Sequence, residues 1–438
     1  MKKATVLAGI LFVLPSLLAA QQSDPREKKS DERLAALEER VRALEAELQE
    51  LKAARVPQPR PQAAAARLLL ASAPGAPAVA PPADPAAAAE LGQTQGATPA
   101  QLPTYGGASS AAKALNPDIS VIGDFLGAVG HNRIRPVPAL ELHESEVGLQ
   151  AIIDPYARGD FFISFGESGV NVEEGYLTFT SLPGGFVAKV GKMRAAFGKV
   201  NTIHNHALDW TDRPLVTENL LGGEDGINDA GFSVTRILPA PAGIFLEATG
   251  QVYRGDSADV FLSSQRKDVS YVAHLRGYKD LSESTNVDLG FSYARGHNDV
   301  GSAFHTQLYG IDATLRWKPL RRAIYHSFLA RTELVWSNRD QQTLALLPET
   351  ERAFGFYTSG EYRPSRRWTV GGRYDRTGRA RQANLIDSGF SALLTYWPSE
   401  FSQIRGQYRF ARYAEGHDAN ELRFQFLFVL GAHGAHPF

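Results

Sequence analysis

From about residue 116 onward the chain is written in steps of two. Leu422, Phe424, Phe426, Phe428 and Leu430 fall on one side of an extended chain, and Arg423 and Gln425 on the other. The run before it repeats the pattern: Ile404, Gly406, Tyr408 and Phe410 alternate with Arg405, Gln407 and Arg409. Trp368, Val370, Gly372 and Tyr374 alternate with Thr369, Gly371, Arg373 and Asp375. Ile311, Ala313, Leu315 and Trp317 alternate with Asp312, Thr314, Arg316 and Lys318, and Ala273 and Leu275 with His274 and Arg276. Neighbouring side chains of a strand point to opposite faces, so this period predicts β-strands with one apolar face. Turn residues divide the segment into about sixteen such runs. They start near Asp118, Glu144, Asp160, Asn171, Gly185, Ile227, Gly243 and Asp268, then Thr285, Phe304, Arg322, Arg352, Arg367, Asn384, Phe401 and Glu421. The expected fold is all-β.

A soluble sandwich also alternates, so length and content have to decide. Many runs alternate for roughly nine to eleven residues, the length of a tilted strand crossing a bilayer. A soluble strand averages about five or six. Trp317, Trp336, Trp368, Tyr396 and Trp397 stand at run ends, where an interfacial girdle needs aromatics. Arg, Asp and Glu occupy mid-run positions of the other face, which a water-filled lumen tolerates. Open sheet edges do not survive in lipid, so residues 116–438 are expected to close into a transmembrane antiparallel β-barrel of about sixteen strands. At about that size a barrel encloses an aqueous channel. Parity assigns Arg276, Arg316, Arg331, Arg373, Arg405, Arg409 and Arg423 to the lumen, with Glu144, Glu146, Glu247, Asp288, Asp312, Glu333 and Asp375. The signs are mixed, which points to a general pore with mild selectivity.

The first 115 residues read differently. Lys2 and Lys3, the apolar stretch Ala4 to Leu18 and Ala19-Ala20 compose a secretory signal peptide over residues 1–20. Over residues 30–53, Leu34, Leu37, Val41, Leu44, Leu48 and Leu51 step by three and four, the seam of a coiled coil. With Leu34 at position a, Arg33 faces Glu38, Arg40 faces Glu45 and Glu47 faces Lys52 across a parallel pair, each pair opposite in sign. Residues 54–115 are Ala/Pro-rich and cannot bury enough apolar surface to fold, so they read as a disordered linker. Beyond the signal no clean apolar run reaches helix-spanning length, since Arg67 and prolines break Ala63 to Ala89. A mean hydropathy of -0.23 is compatible with a barrel, whose two faces average out.

Composition removes several kinds of chemistry. With Cys 0 there are no disulfides, thiolates or lipid-modified cysteine. Lys+Arg 46 against Asp+Glu 47 leaves no basic excess for nucleic acid. No GxSxG, HExxH or phosphate-loop pattern is present, so catalysis and a bound cofactor are not expected. His204 with His206, and His433 with His436, have metal-compatible spacings but lack a third ligand in sequence. Loop histidines are usually solvated, so no metal site is expected. Asn201 to Asp225 breaks the alternation and is long for a turn. It is equally readable as a loop folded into the lumen or one resting on the rim.

One stretch carries a family likeness. Val190-Gly191-Lys192-Met193-Arg194-Ala195-Ala196-Phe197-Gly198, with Asn201, Asp212-Arg213-Pro214-Leu215-Val216 and Asn228-Asp229-Ala230-Gly231, resembles the phosphate-selective porins of the O and P type. Ala196 stands where that family often has proline, and its lysine-rich lumenal ladder has no match here. The resemblance implies an outer-membrane diffusion porin for small hydrophilic solutes or anions, with lipid and the barrel-assembly machinery as partners. It also makes the terminal Phe438 an assembly signal. The ending Gly431-Ala432-His433-Gly434-Ala435-His436-Pro437-Phe438 is shared with relatives described as zinc-regulated receptors, so a metal-related transporter is an alternative. Another alternative is a structural tether reaching through the periplasm, with peptidoglycan as candidate partner. The heptads point to self-association, and with the porin likeness the expected oligomer is a homotrimer. Replacing Val41 and Leu44 by Asp places charge in the seam and should weaken the oligomer on native gels while the barrel still assembles. Oligomers that survive removal of everything before Ala53 would assign the heptads another role.

Overall fold

The computed structural model describes residues 117–431, apart from Ser168, Ala258 and Leu344, together with Glu39 and Arg42. The signal peptide, the linker, the heptad seam and the tail bearing His433, His436 and Phe438 lie outside the described residues. Sixteen strands appear among those described. The first eight are β1 (Asp118–His131), β2 (Leu140–Asp154), β3 (Ala157–Gly166), β4 (Gly169–Leu182), β5 (Phe186–Arg194), β6 (Asn228–Leu238), β7 (Phe245–Tyr253) and β8 (Ser270–Ser282). The rest are β9 (Thr285–Asn298), β10 (Gly301–Trp317), β11 (Ser327–Gln342), β12 (Pro348–Ser365), β13 (Trp368–Arg379), β14 (Gln382–Ser399), β15 (Ser402–Arg412) and β16 (Asp418–Gly431). The largest offset from an expected start is five residues, Arg322 against Ser327. Each strand pairs antiparallel with its neighbours in sequence, and β1 pairs with β16 to close the barrel.

The two faces decide what surrounds the barrel. Leu422 and Phe426 are 51% and 42% exposed on the outside, whereas Gln407 and Gln425 are 0% and 2% exposed within. A water-soluble sandwich buries its apolar face, and this one displays it on nearly every strand. An apolar surface of that extent is stable only against lipid. The barrel is therefore a transmembrane one.

Aromatics bound the apolar belt in two rows. Tyr293, Tyr309, Trp336 and Phe354 are cross-strand neighbours on β9 to β12. Nearer the end that carries the start of β1 and the end of β16 (the terminal end), Trp317, Phe328 and Tyr362 form a second row, continued by the Trp368–Tyr396 pair. Tyr309 and Trp317 are eight residues apart on β10. At about 3.4 Å per residue and a tilt near 40° that is roughly 20 Å of height, close to the ~25 Å apolar band of such barrels. Trp397, expected in the girdle, instead has inward parity and faces the lumen. The reason is register, since its neighbour Tyr396 already holds the lipid-facing position.

Closure is built from glycine and phenylalanine. Gly123 lies opposite Phe428 and Gly127 opposite Phe424 across the β1–β16 seam. A Cβ on Gly127 would come within 1.8 Å of the Phe424 ring, and one on Gly123 within 2.2 Å of the Phe428 ring. The rings thus lie over bare backbone, the arrangement by which aromatics rescue strand glycines. Gly127→Val should expel the Phe424 ring and lower unfolding stability by about 1–3 kcal/mol, the scale of overpacking. Urea unfolding in lipid vesicles reads this; an unchanged midpoint would show that the seam does not depend on the ring.

Candidate functional site

Residues 195–227, the 33 between β5 and β6, turn into the barrel and cross its interior. Of the two placements open from sequence, the loop takes the inward one. It contains 3₁₀ turns at Val200–Thr202 and Asn205–Ala207 and one short helix, α1 (Leu215–Leu220). Phe197, Val200, Leu208, Val216, Leu220, Leu221 and Ile227 pack against Tyr253, Val272, Leu308, Val335 and Tyr357 of the wall. Asn201 joins the loop's two ends, its amide donating to the carbonyls of Ala195 (2.9 Å) and Ile227 (3.0 Å) and accepting from the Ile227 N–H (2.8 Å). Gly226 sits at φ +61, and a Cβ there would meet Asn201 Oδ1 at 2.2 Å, so only glycine allows that bridge. Arg213 holds the middle together, donating to Asn205 Oδ1 and to the carbonyls of Val200 and Ile203 at 2.7–3.0 Å.

Wall side chains satisfy the backbone that this chain brings into the lumen. Glu333 accepts from the N–H of Lys199 and Val200 at 3.1 and 2.8 Å, and Asp375 from Leu215 at 3.1 Å. Gln251 and Gln407 accept from Ala196 and Thr211 at 2.7 and 2.9 Å. Buried backbone donors are costly when unmet, so these acceptors dictate where the loop can rest. The arginines hold its other side. Arg373 donates to the Asp212 carbonyl (3.0 Å) and carboxylate (3.1 Å), Arg409 Nε lies 3.0 Å from Asp212 Oδ2, and Arg405 donates to the Leu208 carbonyl at 2.9 Å. Arg331 reaches Asp209 at 2.5 Å.

All fourteen charges assigned inward by parity have inward parity in the barrel, but few meet open water. Arg373, Arg405, Arg409, Glu333 and Asp375 are buried against the loop, and Arg331 is half-buried there. Arg276, Asp288 and Arg316 form a separate cluster on β8 to β10, with Asp288 at 2.7 and 3.8 Å from the two guanidiniums. Glu247 is level with Arg276 and Asp312 with Glu333 across their ladders. Arg423 joins Glu421, which also binds Arg409. The polar face read from alternation already held Gln407 and Gln425; Gln251 and Ser292, also polar residues on the inward face, were not singled out.

Two β-bulges were not legible. At the first, Asp124 pairs with Glu144 and Phe125 with Leu142, so His143 is the extra residue. At the second, Phe162 pairs with Glu174 and Ile163 with Val172, so Glu173 is extra. A bulge lets consecutive residues share a face. Glu173 and Glu174 both point inward beside Glu144 and Glu146. The loop delivers His204 and His206 to this acidic corner. Expected in solvent, both are only 4% exposed, because the inward fold carries them under β2 and β4. His204 Nδ1 lies 2.6 Å from Glu146 and its Nε2 2.8 Å from Glu174. Burial disfavours charging the ring, but the two carboxylates outweigh it and raise its pKa to about 10. Arg194 binds Glu173 at 3.2 Å in the same corner.

Several cavities flank the loop, and two of them lie along β1. Towards the barrel end away from the start of β1, a cavity of about 310 Å³ sets Arg135, Arg409 and Arg423 against Asp212, Glu218 and Glu224. Towards the terminal end, one of about 520 Å³ sets Arg363, Arg366, Arg367 and Arg405 against Asp209 and Glu400. Both touch β1, through Leu126 to Ala128 and through Ile122. Between them lies a buried polar layer in which Arg405 donates to Gln425 (2.8 Å) and Gln425 to Asp124 (2.9 Å).

A closed sixteen-stranded barrel is the fold the chain shares with solved outer-membrane porins. Among solved structures the chain matches the anion-selective porin from Comamonas acidovorans at 9% identity and TM-score 0.51, over 72% of this chain and 99% of that one. It matches Pseudomonas putida OprB at 8% and 0.51 over 73% and 95%, and Salmonella typhi OmpF at 10% and 0.50 over 73% and 99%. No family model matches. In sequence the chain belongs to the family of an Aquifex aeolicus (strain VF5) protein described as an "Uncharacterized protein". The two are 30% identical over 387 residues, 74% of this chain and 81% of the relative.

Asp212 offers a test of the loop's anchorage. Burial pushes its carboxyl upward, but the guanidiniums of Arg373, Arg409 and Arg423 outweigh this and hold it well below the usual carboxylate range. Asp212→Asn should cost roughly 1.5–3 kcal/mol, the range for a charge-assisted hydrogen bond, because Arg373 and Arg409 keep Asp375 and Glu421 as partners. A lowered folded pKa gives stability that is complete above the unfolded value near 4 and lost as pH falls through the folded one. The wild-type advantage over Asp212→Asn in thermal unfolding should therefore be flat from neutral pH to about 4 and shrink only below it. A gap that closes at higher pH would remove the ion pairs from the account.

Proposed function

We propose that this chain is an outer-membrane channel for the passive diffusion of small hydrophilic solutes. The observation that carries the reading is the inward loop, which crosses a charged lumen and leaves charged cavities beside β1 while an apolar belt faces outward. The solute path runs along β1, where both cavities meet the wall, and its narrowest layer is Asp124, Gln425 and Arg405. Charges of opposite sign flank that strand: Glu144, Glu146, Glu173 and Glu174 on β2 and β4, and Arg373, Arg405, Arg409 and Arg423 on β13, β15 and β16. A mixed field of this kind gives modest selectivity and excludes apolar solutes. The basic mouth at the terminal end tilts the balance towards anions. The N-terminal segment lies in the periplasm, where the heptads join three barrels and lie within reach of peptidoglycan. Phe438 serves the barrel-assembly machinery. None of the roles assigned to the lumen is catalytic.

A second reading has its own support in the dense packing of the loop and the burial of the Asp124–Gln425–Arg405 layer. A barrel shut at that layer would serve as an anchor for a periplasmic tether. Planar-bilayer recording separates the two. The channel reading expects conductance in the wild type, larger conductance in Gln425→Ala, and a reversal potential shifted towards cations in Arg366→Gln with Arg367→Gln. Silence in the wild type favours the tether. Unaltered conductance in Gln425→Ala moves the path away from β1.

A further inference from the structure

We propose that Glu146, His204 and His206 form a site for a first-row divalent transition ion of the zinc class, which pins the inward loop to β2. Each residue offers one donor atom, and the three atoms lie within 4.8 Å of one another. His204 Nδ1 and His206 Nδ1 are 2.6 and 3.8 Å from Glu146 Oε2. Donors around tetrahedral zinc, bound at roughly 2.0–2.2 Å, stand about 3.3 Å apart, so side-chain adjustments of an ångström or less assemble the set. Two imidazoles and a carboxylate are the donors such an ion takes, and they are too nitrogen-rich for calcium or magnesium.

Three further observations point to a cation. The first is the support behind the ligand. His204 Nε2 faces Glu174 Oε2 at 2.8 Å, and Glu174 Oε1 accepts from the Arg194 N–H at 2.7 Å. A carboxylate fixing the far nitrogen of a ligating histidine is the usual outer shell of a metal site, and it leaves Nδ1 for the ion. The second is an unmet acceptor. Glu146 is 1% exposed, yet its Oε1 meets no hydrogen-bond donor. Glu173 Oε2 lies 3.6 Å from His204 Nδ1, placing it to supply a fourth donor. The third is the crowding of carboxylates. Glu144, Glu146, Glu173 and Glu174 meet around Arg194 and His204, and buried carboxylates at that density favour a bound cation. A divalent ion takes the place of the proton between His204 and Glu146. His206 also lines the larger chamber, which gives the ion a way in.

The site concerns the loop's attachment and does not depend on conduction, so its failure and that of the channel reading are distinguishable. The test uses untagged full-length protein carrying His433→Ala and His436→Ala, stripped with chelator and refolded in detergent. Zinc is then measured by elemental mass spectrometry, and cobalt(II) by absorption and by nitrogen couplings in pulsed electron paramagnetic resonance. The expected result is about one equivalent of zinc, a tetrahedral cobalt spectrum with imidazole nitrogen couplings, and a higher unfolding temperature with the ion. His206→Ala and Glu146→Gln should each cut zinc below about one fifth of an equivalent, with folding verified by the gel shift on boiling. His305→Ala, which breaks the other close histidine pair at His297, should leave it unchanged. Wild-type protein that takes up no zinc at micromolar free ion overturns the proposal. So does uptake undiminished in folded His206→Ala and Glu146→Gln. Should neither variant fold, a cobalt signal lacking imidazole nitrogen overturns it, and one with two such nitrogens sustains it.

Discussion

In hydrocarbon a backbone amide has no water to turn to, and most of this structure follows from that. Each unpaired N–H or C=O in the belt would cost several kcal/mol, so sixteen strands pair side to side until β1 meets β16 and no edge is left. Closure converts a one-faced sheet into an inside and an outside. The apolar face has to be the outer one, since the other carries Arg and Glu at mid-strand. The seam shows how closely this is enforced. At Gly123 and Gly127 the rings of Phe428 and Phe424 lie over the first strand, covering backbone that glycine leaves bare.

The same rule applies again inside. A loop of 33 residues brought into the lumen carries its own backbone donors and displaces water that would have met them. Glu333, Asp375, Gln251 and Gln407 replace that water with fixed acceptors. The arginines of β11, β13 and β15 grip Asp209, Asp212 and the Leu208 carbonyl. Wall charge in this barrel therefore does two jobs, positioning the loop and setting the field beside β1. Arg409 illustrates the overlap, because it holds Asp212 while lining the chamber above. Changing its sign alters loop position and selectivity together. Arg366 and Arg367, at the exposed β12–β13 turn, touch only the second property.

The acidic corner at β2 and β4 is where the loop enters. Two bulges there crowd carboxylates onto the inward face, and His204 and His206 arrive from the loop to meet them. The corner lies near the start of the loop, whereas Asp212 and α1 are held further along. His204 thus helps set where the first part of the loop rests, and the arginine wall holds its middle at Leu208 to Asp212.

Period-two alternation by itself determined the strand number, the strand positions within five residues and the inward parity of Arg276 through Asp375, because side-chain direction in a strand is a local property. Aromatic placement was also largely local, although Trp397 turned inward where Tyr396 had taken the lipid face. Whether residues 195–227 lay in the lumen or on the rim was beyond the sequence, since that choice depends on partners such as Glu333 and Asp375, more than a hundred positions away. The burial of His204 and His206 was beyond it for the same reason. Their third donor, Glu146, comes from β2, and the carboxylates beside them depend on bulges that break the very alternation being read. Local periodicity names the face a side chain takes, but only the closed barrel brings two distant faces within reach of one another.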